Sequence, residues 1–153
     1  MWKKVGICML IGEYRHNIDD KGRIIIPAKF REEIGMKFVV TRGLDGCLFV
    51  YAMDSWNKIV SKLQTLPFTK KDARTFMRFF LSGATVCEFD KQGRINLSNS
   101  LIEYAGIQKE CTIIGVNDRL EIWASEKLDV IMEENVPNFS DIAENLFEGD
   151  FNA

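Results

Sequence analysis

Two arginines end the same short phrase at two places in the chain. Asp19-Asp20-Lys21-Gly22-Arg23 runs into Ile24-Ile25-Ile26, and Asp90-Lys91-Gln92-Gly93-Arg94 runs into Ile95-Asn96-Leu97. In each phrase the glycine lets the chain reverse and the arginine starts the outgoing segment. A guanidinium is a planar fork of N–H donors that fits a phosphate or the O6/N7 edge of guanine. Two forks on matched turns suit a repetitive polymer better than a small substrate. Arg15, Lys21, Lys29, Arg31 and Arg42 would widen the basic surface of the first copy. The same spacing also suits Asp19–Arg23 and Asp90–Arg94 ion pairs that simply close the turns, and the motif alone leaves both readings open.

Other chemistry has little to work with. There is no G-x-S-x-G, no Gly-rich phosphate loop, and His16 is the only histidine. Asp19-Asp20 and Glu32-Glu33 are adjacent carboxylates, which point in different directions and do not converge on one proton. No catalytic residue is assigned and the chain is read as a non-enzyme. Cys8, Cys47, Cys87 and Cys111 form no C-x-x-C pair, so no metal site and no cofactor is expected. Cys47, Cys87 and Cys111 read as small buried hydrophobes in a reducing cytosol. No segment has the ~18 apolar residues of a membrane helix, so no membrane partner is expected.

The elements that must position the arginines are repeated too. The first copy predicts a strand over Glu13–Ile18, a turn over Asp19–Gly22, and a strand over Arg23–Ile26. A helix over Ala28–Ile34 follows, entered at Pro27 and closed at Gly35, then a hairpin of Phe38–Arg42 and Cys47–Tyr51. The second copy reads Val86–Phe89, Asp90–Gly93, Arg94–Leu97, a helix over Ser98–Ala105 with Gly106 as its cap, then Cys111–Gly115 and Leu120–Trp123. With one residue inserted, Gly43 falls on Gly115 and Leu48 on Leu120. Two helices lie between: Ser55–Gln64 capped by Asp54, and one from Thr69 as cap to Ser82, with Phe76, Met77 and Phe80 in its apolar stripe. Ser125 is expected to cap Glu126–Glu133, and residues 138–153 keep a helical pattern without a reliable cap. Units of about 45 residues rarely bury enough apolar surface alone, so the two copies are expected to share one core.

The charge is unevenly spread. Residues 126–153 hold eight acids and one base, a net of −7, whereas the other 125 residues hold 19 bases and 14 acids, a net of +5. A mildly basic body with an acidic tail is compatible with nucleic acid.

The run Gly12-Glu13-Tyr14-Arg15-His16 into D-D-K-G-R-I-I-I-P-A-K-F-R, then T-R-G-L-D-G-C-L-F-V-Y, K-D-A-R-T-F-M-R-F-F-L-S-G-A and D-K-Q-G-R-I closely resembles the MraZ transcriptional regulators. The likeness runs from about Met9 to Leu128. It implies an α+β fold: tandem AbrB-like swapped-hairpin modules forming one small β-barrel with flanking helices. It implies a sequence-specific DNA-binding regulator of the cytoplasm and nucleoid, acting on short direct repeats in the promoter of the division and cell-wall gene cluster. The partners implied are double-stranded DNA and further copies of the chain, in a ring. The family's motif arginines land on Arg23 and Arg94. Arg15, Lys21, Lys29 and Arg31 extend that DNA-binding set by charge and proximity.

Two features depart from the family pattern. Met9 would be a natural start, which makes residues 1–12 an extension or an uncertain start, and Ser98 stands where the first copy has Pro27. The remaining divisions are expected at 13–56 and 84–128 for the repeats, 57–83 for a helical connector and 129–153 for the acidic tail. A second functional reading is an antitoxin-like module that binds a partner protein through that tail. The helices at 55–82 and 125–134 are the expected contacts between copies, since their apolar stripes exceed what a small barrel needs.

Overall fold

The structure is a computed structural model and describes residues 9–147. The expectations for residues 1–8, Cys8 included, and for residues 148–153 lie outside the described residues. The strands are β1 (Leu10–Asn17), β2 (Arg23–Ile25), β3 (Lys37–Arg42), β4 (Leu48–Ala52), β5 (Thr85–Glu88), β6 (Arg94–Asn96), β7 (Glu110–Asn117) and β8 (Leu120–Ala124). The helices are α1 (Ala28–Ile34), α2 (Met53–Leu63), α3 (Lys71–Ser82), α4 (Asn99–Ala105), α5 (Ser125–Asn135) and α6 (Phe139–Phe147).

Six strands form one sheet in the order β1-β7-β8-β4-β3-β5, and β2 pairs β6 in a separate two-stranded ribbon. The order reads the same from either end once the copies are exchanged. β1 of the first copy lies on the hairpin of the second, and β5 of the second lies on the hairpin of the first. Equivalent strands meet antiparallel at two places: Ile24 faces Ile95 in the ribbon, and Phe49 faces Glu121 where β4 meets β8. The repeat is therefore a pseudo-two-fold and not a translation. The sequence alignment slips in one strand, because Gly115 sits opposite Leu120 as Arg42 sits opposite Leu48. The hairpin loops differ in length, and this moves β7 one place further along than the alignment has it. A Cβ on Gly115 would lie 2.5 Å from the Ile11 backbone nitrogen, so glycine lets β1 approach.

The ladders do not close this sheet into the barrel that the resemblance implied. β1 and β5 each pair on one side only, and β2 and β6, three residues each, pair with one another. The short ribbon covers one face of the sheet together with α1 and α4. Ile24, Ile26, Phe30 and Ile34 of the first copy meet Ile95, Leu97, Leu101 and Ala105 of the second, packed on Phe38, Val40, Ile113 and Ile122. The copies do share one core. Successive side chains of a strand point to opposite faces, and β4 and β8, central in the sheet, are buried on both.

The opposite face of the sheet carries α2, α3 and α5. Phe49, Tyr51 and Trp123 pack there with Leu63, Phe80 and Leu128, and Trp56 stacks on Phe80 with ring centroids 5.5 Å apart. At the pseudo-axis Phe49 is matched by Glu121. Arg119 reaches that carboxylate at 3.0 Å, and the Trp123 indole N–H donates to it at 2.9 Å, so the buried charge is paired.

Three expected caps move. α2 starts two residues earlier, with Ala52 at the N-cap and Asp54 in the first turn. Lys70, not Thr69, precedes α3. Ser125 is already helical, and its hydroxyl shares a 2.7 Å hydrogen bond with Thr112 instead, two buried hydroxyls satisfying each other. Ser98, expected as the first residue of the helix, is instead its N-cap, accepting from the Leu101 N–H at 3.3 Å. The uncapped pattern after residue 138 forms α6, nine residues long.

Candidate nucleic-acid interface

Each D-x-x-G-R phrase folds into the same turn, bond for bond. The backbone N–H groups of Lys21 and Arg23 each donate to Asp19 Oδ1 at 2.9 Å, and those of Gln92 and Arg94 donate to Asp90 Oδ1 at 2.9 Å. Arg23 Nε donates to Asp19 Oδ2 at 2.7 Å, and Arg94 Nε to Asp90 Oδ2 at 2.7 Å. Gly22 and Gly93 take φ of +79° and +76°, the left-handed region where a side chain is strained. Each turn is tied to the other copy, since the Leu97 N–H donates to the Gly22 carbonyl at 2.8 Å and the Ile26 N–H to that of Gly93 at 3.0 Å.

The turn-closing ion pairs are thus present, and they leave the arginines available. Each bond to aspartate uses Nε, so the Nη1/Nη2 edge of the fork lies outside it. The arginine side chains keep 30% and 22% of their surface exposed. Alternation puts Arg23, Ile25, Arg94 and Asn96 on the outer side of the ribbon, because Ile24, Ile26, Ile95 and Leu97 are all buried beneath it. Arg94 Nη1 also lies 4.0 Å from Asp19 Oδ2, so the second arginine leans toward the first turn.

The donated hydrogen bonds hold Asp19 and Asp90 below the ordinary carboxylate range. The backbone N–H of the arginine acts most strongly in each case, and the side-chain fork adds to it. A group whose native pKa is depressed stabilises the fold fully above its unfolded value and loses that contribution as pH falls through the native one. The turns should therefore loosen below about pH 4. The expected result is that Asp19→Asn with Asp90→Asn flattens the acid limb of a stability-against-pH curve; an unchanged limb would show the two carboxylates to be irrelevant there.

The other basic residues expected to contact DNA divide. Lys21 is exposed on the first turn. Lys29, on α1, is exposed with Nζ 5.0 Å from the Phe30 ring centroid. Arg31 Nη1 donates to the Ile26 carbonyl at 3.0 Å and its guanidinium occupies the space where Gly93 would carry a Cβ. These three join the ribbon side. Arg15 does not. It faces the same side of the sheet as Thr112, its partner across the ladder, and so points to α5. There its guanidinium donates to Asp129 at 2.7 and 3.3 Å and to Glu13 at 3.2 Å. Those carboxylates push the Arg15 pKa up, Asp129 most of all. Arg42 is also diverted, donating to the Phe79 carbonyl at 2.8 Å with its guanidinium 4.6 Å from the Phe79 ring.

Asn96 and Ile25 share the outer side of the ribbon with the arginines; the alternation in R-I-N-L already points Asn96 there, whereas R-I-I-I does not alternate and only the burial of Ile24 and Ile26 places Ile25. His16 is exposed, stacked on Tyr14 at 5.8 Å. Cys47 and Cys111 are buried, and burial pushes their thiols up to about 12 and about 11; Cys87 is half-buried. Among the described residues, no cluster of His, Cys, Asp and Glu could hold a metal ion, and no helix is long and apolar enough to cross a membrane.

Comparison with known proteins agrees with this doubled architecture. The family model described as "MraZ protein, putative antitoxin-like" matches the chain twice, at residues 9–79 and 80–150. The Transcriptional regulator MraZ of Ligilactobacillus salivarius (strain UCC118) is 57% identical over 142 residues, which covers 93% of this chain and 99% of that relative.

Proposed function

The chain belongs to the MraZ family, and from that premise we propose that it is a DNA-binding transcriptional regulator whose contact element is the β2–β6 ribbon with its two turns. The observation that carries the proposal is the pair of identical turns, each fixing an arginine through Nε beside a solvent-facing ribbon. Anchoring at Nε pre-orients the rest of the fork, so less freedom is lost on contact. Arg23 and Arg94 read base edges or phosphates, while Lys21, Lys29 and Arg31 supply phosphate contacts. Arg15 serves DNA binding only if it leaves Asp129, and its ion pairs make it the weakest member of the set. The targets are short direct repeats in the promoter of the division and cell-wall gene cluster, in the cytoplasm and nucleoid.

One ribbon is a small contact, so several copies in a ring raise the apparent affinity through effective concentration. Phe68 on the connector and Phe139 and Leu146 on α6 are more than 70% exposed, which favours burial between copies. Residues 53–82 hold six bases and two acids, and residues 125–147 hold six acids and one base. These two surfaces complement one another head to tail.

The test is binding of the full chain to its own upstream DNA and to a scrambled duplex at two salt concentrations, with molar mass followed by light scattering. Preference for its own DNA that falls steeply with salt, from an oligomer, is the expected result. A chain that binds both duplexes equally would give way to the second reading, an antitoxin-like module. That reading draws on the family description and on the exposed apolar face of α6.

A further inference from the structure

We propose that Asn96 and Ile25 make the ribbon directional on DNA, with Asn96 selecting a base at one end that its pseudo-symmetric counterpart Ile25 does not select at the other. The inference rests on the DNA-binding reading above and deepens it.

A ribbon with exact two-fold symmetry would present the same groups at both ends and would suit an inverted repeat. This ribbon keeps the symmetry in its backbone and breaks it in its side chains. The ladder places Asn96 opposite Arg23 and Ile25 opposite Arg94. One end therefore carries a guanidinium fork beside an amide, and the other a fork beside a branched hydrocarbon. Asn96 is exposed, and its side chain makes no hydrogen bond among the described residues. It lies against the first turn, with Oδ1 3.8 Å from where a Cβ on Gly22 would stand. An amide offers a donor and an acceptor in one plane, which matches the N6/N7 edge of adenine in the major groove; a hydrocarbon matches the thymine methyl.

The surroundings of the two turns reinforce the difference. Behind Gly93 lies the guanidinium of Arg31, whereas behind Gly22 lies the methyl group of Ile102, its counterpart in the repeat. Lys21 in the first turn is matched by Gln92 in the second, and Asp20 by Lys91. The ends thus differ in charge as well as in hydrogen bonding. An element of this kind sits on a duplex in one orientation only, and copies placed side by side then read sites that point the same way.

The test is to recover bound duplexes from a randomised pool with the full chain and with Asn96→Ala, Asn96→Ile, Ile25→Asn and the exchange Ile25→Asn/Asn96→Ile. Both Asn96 variants should lose about tenfold in preference for one base at one end of the recovered motif. Ile25→Asn should add a matching preference at the other end, and the exchange should reverse the motif. Asn96 variants that recover the motif of the unaltered chain would overturn the inference and leave DNA binding intact. An unaltered chain that recovers no motif would overturn both.

Discussion

Arg23→Ala and Arg94→Ala should each weaken binding to the chain's own upstream DNA by roughly ten- to a hundredfold at fixed salt, the effect of losing one well-formed bidentate pair. The conservative variants Arg23→Lys and Arg94→Lys should keep non-specific affinity and lose most of the preference for the natural sequence, because an ammonium carries the charge without the fork. The double alanine variant should bind its own and scrambled duplexes alike. Folding should survive. Asp19 and Asp90 still accept the two backbone N–H bonds that shape each turn, and an ion pair this exposed is largely screened by water. The measurements are equilibrium binding by fluorescence anisotropy and thermal unfolding of each variant. Alanine variants that unfold normally and bind normally would reduce both arginines to turn-closing groups.

Ile24→Ala or Ile95→Ala should cost about 2–5 kcal/mol of folding stability, a large share of the ~5–15 kcal/mol typical of a domain. Both side chains have 0% exposure, face each other across the pseudo-axis, and seat the ribbon on the shared core. Little around them can collapse to fill the gap, because the same core holds Phe30, Phe38 and Ile113 at 2% exposure or less. Ile25→Ala, on the outer side of the same strand, should cost far less. Urea unfolding followed by Trp56 and Trp123 fluorescence measures the difference, since both indoles sit in or against the opposite cluster and report the global transition. An Ile95→Ala cost near that of Ile25→Ala would mean that the ribbon is not seated on the core, and the rigid presentation of the arginines would lose its basis.

Much of the site was legible without coordinates. The Asp–Gly–Arg spacing and the glycines that permit the reversal both act over a few residues. They are written in neighbouring positions, and the first-copy and second-copy turns agree bond for bond as a result. The helices between the copies were legible for the same reason, their caps moving by only one or two residues; the cap expected of Ser125 on α5 was lost because its hydroxyl is bonded to Thr112 in another element.

The tertiary structure decided the rest. Arg15 looks like part of the basic set in sequence, and it faces Asp129, 114 residues away, because β1 crosses to the hairpin of the other copy. Arg42 has the charge for a nucleic-acid contact, and it is spent on the α3 backbone and the Phe79 ring. The pairing of Arg23 with Asn96 exists only once β2 and β6 are brought together. Local geometry follows from steric and hydrogen-bonding rules that each short segment satisfies by itself. Which strand pairs with which, and so which charge is already neutralised, follows from how two half-sized units must exchange strands to bury one core. The sequence by itself determined the two turns and the family; the exchange of strands determined the buried face of the ribbon and which basic residues remain for a partner.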